Sequence, residues 1–136
     1  MITDKLVYEL IKDEGFEKKP YVDTVGKITI GIGYNLTDNG LPEDIIYELL
    51  YRCIDQVEKD LDNLIPSWRQ LSEDRQRVLA NMCFNLGKTR FSKFKRFISA
   101  INNFDYVLAA KEMEDSQWFH QVGDRAIRLQ QMMLNG

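Results

Sequence analysis

Histidine is nearly absent from this chain of 136 residues: His120 is the only one. Cysteine occurs twice, at Cys53 and Cys83. So thin a supply makes no His/Cys ligand cluster, which argues against metal-dependent hydrolysis and against Cys-His or Ser-His-Asp chemistry. No metal and no cofactor is called for. Both cysteines fall on or near apolar faces of predicted helices and read as buried free thiols rather than a disulfide. A G-x-x-x-x-G-K-[ST] loop is missing, which argues against an NTPase. No apolar run is long enough for a transmembrane helix, so stable membrane insertion is not expected. The first ten residues lack a basic segment followed by an uninterrupted apolar run, so no secretory signal is expected either. Cationic excess is also lacking: the net charge is −3, and no nucleic-acid partner is expected. There is no repeat of fixed period. Hydrophobic content of 44% and 29% charged residues are ordinary for a globular chain, and the length suits one domain with a modest core.

What is present is concentrated between Asp13 and Tyr34. Thr3 is a good N-cap for a first helix with Asp4 in its first turn, and Leu6, Val7, Leu10 and Ile11 are spaced for one buried face. Glu14 follows Leu10 by four and Ile11 by three, so it closes that stripe, while Asp13 points about 100° away. Gly15 is the expected helix stop. An apolar setting favours the protonated carboxyl that a general acid needs. Val25-Gly26-Lys27 then supplies a hairpin turn. In the strand that follows, Ile28, Ile30 and Ile32 share one face and are expected in the core. Thr29 and Gly31 share the other and are expected to face outward, where the bare Gly31 lets a ligand approach closely. Asp23, nine residues after Glu14, lies in or near the first strand, close enough to Thr29 for both to contact one water.

Read as a pattern, this segment is E-G-x-x-x-x-x-Y-x-D-T-x-G-x-x-T-I-G-I-G. It resembles the signature of phage-type lysozymes, the endolysin glycoside hydrolases. The resemblance implies that the family's acid, aspartate and threonine fall on Glu14, Asp23 and Thr29. Many members carry histidine where this chain has Tyr34, a departure that bears on a local polar contact and not on the catalytic set.

Further along, 34–42 reads as a loop. A long helix is expected from Glu43 to about Leu64, with an apolar stripe through Ile46, Leu50, Cys53, Val57, Leu61 and Leu64. At 1.5 Å per residue it is roughly 33 Å long. Acidic residues dominate 38–62 and basic residues 69–96, which read first as solvated helix faces. Pro66 ends the long helix, and Ser72 caps another that runs to Gly87. R-V-L-A-N-M-C-F-N-L-G-K-T resembles the family's central helix; by that resemblance Asn85 lines the cleft, while Asn81 is read as satisfying buried backbone groups. Phe91, Phe94, Phe97, Ile98 and Ile101 recur at helical spacing as core, Asn102-Asn103 is a turn, and a helix is expected over 104–114. S-Q-W-F-H-Q-V-G-D-R-A-I-R resembles the family's Trp-aromatic stretch. Trp118 reads as a core anchor, Phe119 as an aromatic beside it that contacts substrate, and Asp124 as the last N-cap. By resemblance Arg125 pairs with Glu14, and Arg128 can reach Asp13.

The expectation is therefore a mostly helical α+β, lysozyme-like fold of one catalytic domain. A small β-hairpin lobe (about 15–40), short enough to lack a third strand or an extra helix, is joined by the long helix to a larger helical lobe (66–136, together with helix 1). The activity implied is a muramidase cutting the β-1,4 bond between N-acetylmuramic acid and N-acetylglucosamine in peptidoglycan, with inversion. The implied setting is a monomer held in the host cytoplasm and released to the wall with the help of a holin, or else carried on a virion. Two alternatives are a lytic transglycosylase and a non-catalytic wall-binding protein of the same fold.

Overall fold

Thr3 does what its position suggests. Its side chain accepts a hydrogen bond from the Leu6 amide at 3.1 Å and opens helix α1 (Asp4–Glu14), which Gly15 stops at φ 89. The computed structural model describes residues 3–136; Met1 and Ile2, part of the stretch read for a signal, lie outside the described residues. The chain divides into two compact units, the first running to Glu48 and the second covering Leu49–Gly136.

In the first unit α1 is followed by three antiparallel strands in the order β1-β2-β3: Glu17–Val22, Ile28–Gly31 and Tyr34–Asn35. Pro20, which cannot donate to a ladder, sits on the edge strand β1, as proline requires. The third strand corrects the expectation of a bare hairpin: Thr29 stands opposite Asn35 and Ile30 opposite Tyr34. The loop expected at 34–42 contains a short helix, α2 (Leu36–Asn39), capped by the Asn35 side chain. Side chains tie this segment to the sheet and its turn. Thr37 Oγ1 accepts from the Ile28 amide at 2.7 Å, Lys27 pairs with Asp38 at 2.9 Å, and the Tyr34 hydroxyl donates to the Gly40 carbonyl at 2.5 Å. The last of these answers the question raised by the missing histidine, since tyrosine makes its own local polar contact.

Two burial expectations fail here. Helix α1 buries none of its residues; Leu10 is 44% exposed, so Glu14 does not close a buried stripe. In β2 the faces are the reverse of those expected: Thr29 is 4% exposed, whereas Ile28 is 47% exposed. The alternation is right and the side is wrong. A strand pattern fixes which residues share a face but not which face is covered.

Helix α3 (Glu43–Leu64) has the expected bounds. Only the carboxy-terminal part of its stripe is buried, at Val57 and Leu61, along with Asp60, which accepts from the Gln56 amide. Ile46, Leu50 and Cys53 are exposed. Beyond Pro66, a 3-10 turn (Trp68–Gln70) is pinned by Asp62, which accepts from Arg69 Nε at 3.0 Å and from the Trp68 indole at 2.7 Å. The Arg69 bond, then the Trp68 bond, hold the Asp62 carboxyl below its ordinary range.

The rest of the second unit is helical: α4 (Glu73–Leu86), α5 (Lys88–Ser92), α6 (Lys95–Asn102), α7 (Tyr106–Glu114), α8 (Gln117–Val122) and α9 (Asp124–Asn135). Ser72 caps α4 and Gly87 ends it, as expected. Its core joins Leu79, Met82 and Cys83 of α4 to Phe91, Phe97, Met113, Trp118 and Leu129. Phe97 stands edge-on to both Phe91 and Phe94, and Phe94 is edge-on to Trp118, so the aromatic spacing seen in the sequence becomes a continuous ladder. The cap of α9 is Gly123 rather than Asp124, which is the first helical residue.

Two local features carry expectations of their own. Cys53 is exposed, correcting its expected burial, while burial pushes the Cys83 thiol up to about 11. Reaction with a thiol-specific dye at pH 8 is therefore expected to label one cysteine quickly and the other only on unfolding, since the thiolate is the reactive form. Phe104, expected inside a helix, instead lies in the turn before α7 with φ 56; Asp105 caps the helix that follows. A bulky residue in left-handed backbone is strained. Phe104→Gly is expected to raise stability by about 0.5–1 kcal/mol, read as a higher melting temperature.

Candidate functional site

Asp23 closes the hairpin between β1 and β2. Its amide donates to the Lys27 carbonyl at 2.8 Å, and its own carbonyl accepts from the Gly26 amide at 3.1 Å. Its carboxylate Oδ1 accepts from the Lys27 amide at 2.8 Å and the Val25 amide at 3.0 Å. Two amides on one oxygen fix the carboxylate plane. The other oxygen, Oδ2, accepts no hydrogen bond among the described residues, so a water or substrate proton can reach it without displacing anything.

Thr29 is joined to the same turn. Its hydroxyl donates to the Lys27 carbonyl at 3.3 Å, and that carbonyl also accepts from the Asp23 amide. One backbone oxygen therefore links the two residues that were expected to share a water. With its proton committed to Lys27, the Thr29 oxygen has lone pairs left to accept from such a water. The buried position of Thr29 suits this role better than the outward one expected. A hydroxyl in the centre of a three-stranded sheet is held still, and an ordered group loses less on binding.

Glu14 ends α1, is exposed, and lies against the backbone of Gly33, which follows β2 at φ 65. A Cβ at Gly33 would come within 2.5 Å of Glu14 Oε2. Asp13 precedes it on the exposed surface of α1. Gly31, at the end of β2, lines a cavity of about 500 Å³ with Phe16, Ile30, Tyr34, Leu41 and Ile45. Glu14, Asp23, Thr29 and Gly31 thus all belong to the first unit, and the sheet and its turns position each of them. Among the described residues no group of three or more His, Cys, Asp or Glu is placed to hold a metal ion.

The remaining predicted residues lie in the second unit. Asn85 accepts from the Trp118 indole at 2.7 Å, so its carbonyl is committed to anchoring the buried tryptophan while its amide nitrogen remains available on an exposed side chain. Phe119 is half-buried and edge-on to His120. Arg125 donates through Nε at 2.9 Å and Nη2 at 2.7 Å to a single acceptor, Asn81 Oδ1. This corrects the reading of Asn81 as a backbone partner: it joins α4 to α9 and holds the guanidinium. Arg125, Arg128 and Arg77 line a groove of about 410 Å³ whose floor is apolar, from Ile54, Phe84 and Met132.

Sequence reasoning passes over Gly33 and assigns Asn81 to the backbone instead of to Arg125. Asn81 shares a helix face with Asn85, four residues on, which is the signal available for it; Gly33 has none beyond its place in G-I-G.

Comparison with known proteins places the chain in a family. A family model described as phage lysozyme matches residues 11–132. Among curated proteins, the chain is 29% identical over 155 residues to the pre-baseplate central spike protein Gp5 of Enterobacteria phage T4, covering 93% of this chain and 27% of that one. It is 28% and 27% identical to two probable T4-type lysozymes of Dictyostelium discoideum, covering 94% of this chain and 90% of each of theirs. The chain therefore spans about a quarter of the spike protein and nine tenths of the other two.

Proposed function

The chain belongs to the phage lysozyme family, and we propose that it is a peptidoglycan-hydrolysing glycosidase, cutting between N-acetylmuramic acid and N-acetylglucosamine. The observation that carries this reading is the pair of hydrogen bonds converging on the Lys27 carbonyl from Asp23 and Thr29. With Asp23 Oδ1 held by the Lys27 and Val25 amides, Oδ2 and the lone pairs of the Thr29 hydroxyl are left to accept from one water.

Glu14 protonates the glycosidic oxygen as the bond breaks, and positive charge develops on the sugar as an oxocarbenium ion. Asp23 Oδ2 takes a proton from the water that attacks the opposite face, and Thr29 orients that water. A base acting on water inverts the anomeric centre, which requires the two carboxyl groups to stand about 6.5–9.5 Å apart. Gly31 gives the sugar close access to the sheet. The Asn85 amide nitrogen and the Phe119 ring are assigned to substrate contacts, and Arg125, Arg128 and Asp13 to supporting charges.

The biological role that fits is lysis of a bacterial host. The enzyme would act as a monomer, held in the host cytoplasm until a holin gives it access to the wall. Likeness to a baseplate spike protein supports a second location, on the virion. Mass spectrometry of purified particles separates the two: presence in washed virions favours the second location, and absence favours the first.

The activity itself is tested by the clearing of permeabilised Gram-negative cells. Loss of turbidity with release of soluble glycan is expected. Binding to the wall with no clearing would replace the enzymatic reading with that of a non-catalytic wall-binding protein.

A further inference from the structure

Gly15, Gly26, Gly31, Gly33, Gly40, Gly87 and Gly123 all have positive φ. At six of these a Cβ would meet nothing within 4 Å, so their need for glycine is conformational alone. Gly33 is different. A Cβ there would lie 2.5 Å from Glu14 Oε2 and 3.0 Å from both Cβ and Cδ of the same side chain. All three of its nearest contacts are atoms of Glu14. The closest is the far end of a flexible side chain, so a Cβ at position 33 displaces the carboxylate first, while the contact with Glu14 Cβ asks for a further few tenths of an ångström between the end of α1 and the turn.

We propose that Gly33 is a positioning residue for the general acid. Its missing Cβ lets the Glu14 carboxylate lie against the turn between β2 and β3, and the bare backbone forms one wall of the space that selects its rotamer. Helix α1 contributes no buried face to hold this side chain, so the contact with the turn is what restrains it. The inference rests on the reading of Glu14 as the acid. It adds that the second glycine of the G-I-G segment serves the acid, while the first serves access.

The test compares four full-length variants: Gly33→Ala, Gly40→Ala, Glu14→Gln and Gly33→Ala combined with Glu14→Gln. Gly40→Ala, at φ 58 with open space around it, controls for the strain of alanine in left-handed backbone. Both alanine variants are expected to lose similar thermal stability. Only Gly33→Ala is expected to lose kcat, by about 10- to 100-fold with KM little changed, as a displacement of about 1 Å in a reacting group produces. In the Glu14→Gln background Gly33→Ala is expected to have no further effect.

If Gly33→Ala fails to fold, Gly33→Asn carries the same Cβ on a residue that tolerates left-handed backbone. Activity in the Gly33 variants equal to that of Gly40→Ala overturns the inference, as does the same fold-loss with and without Glu14. Full activity of Glu14→Gln overturns the assignment of the acid itself, and the inference with it.

Discussion

Glu14→Gln is expected to lower the rate of glycan release by about 10²- to 10⁴-fold, the range that a positioned general acid contributes. Glutamine keeps the size of the side chain and its fit against Gly33 but has no proton to give to the leaving oxygen. Stability should be nearly unchanged, because Glu14 is exposed and its carboxylate makes no hydrogen bond or ion pair among the described residues. A lost rate with an unchanged melting temperature is therefore the expected combination. It separates a chemical role from a structural one, since a residue that mattered by packing would change both. Turbidity clearing measures the first and a thermal melt the second. Equal clearing by the two proteins would remove Glu14 from the mechanism.

The largest effect on stability is expected at Phe97. It is 1% exposed and edge-on to both Phe91 and Phe94. Phe97→Ala deletes a ring from the middle of the ladder that continues through Phe94 to Trp118. The cost is the lost transfer energy plus the cavity left behind, about 3–5 kcal/mol. For a domain of this size that lowers the melting temperature by about 10 °C or more. The lesion lies in the second unit, whereas Asp23 and Thr29 are held by bonds within the first. Activity per folded molecule should consequently fall far less than for Glu14→Gln. An unchanged melting temperature would show that the ladder is not the core's support.

Much of this organisation was legible in the sequence because it depends on local chemistry. Caps at Thr3 and Ser72 and stops at Gly15 and Gly87 follow from unsatisfied backbone groups at helix ends, and all four are present. Helix α3 was legible from an uninterrupted 3.6-residue stripe ended by a proline. Burial was less legible, because it depends on what lies opposite. The stripe of α3 continues well beyond the part that is covered, and the period-2 pattern of β2 assigned Thr29 and the isoleucines to separate faces without saying which was inside. Strand β3 is two residues long and α2 four, too short for any period to register. Phe104 was misplaced because its apolar character counted as helix surface, while Asp105 beside it was the cap.

The site shows the same division. Glu14, Asp23 and Thr29 are candidates through a motif whose order resembles the family's signature, and spacing alone does not single them out. The Lys27 carbonyl joining the last two is a backbone atom, which no side-chain pattern reveals. The link from Asn81 to Arg125 spans 44 residues, and that of Asn85 to Trp118 spans 33; each needs two helices to be brought together before it exists. Gly33 shows its role only through the atoms that a missing Cβ leaves room for.

In the proposed mechanism water is the nucleophile, prepared by Asp23 and Thr29, with Glu14 as the proton donor. The direct measurement is the identity of the sugar ends released from purified peptidoglycan, by mass spectrometry in ¹⁸O-labelled water. Reducing N-acetylmuramic acid carrying one atom of solvent oxygen is the expected product, and Glu14→Gln should release it about 10²- to 10⁴-fold more slowly. Fragments ending in 1,6-anhydro-N-acetylmuramic acid without solvent oxygen would contradict the account, because they form with no bound water and leave Asp23 and Thr29 nothing to hold.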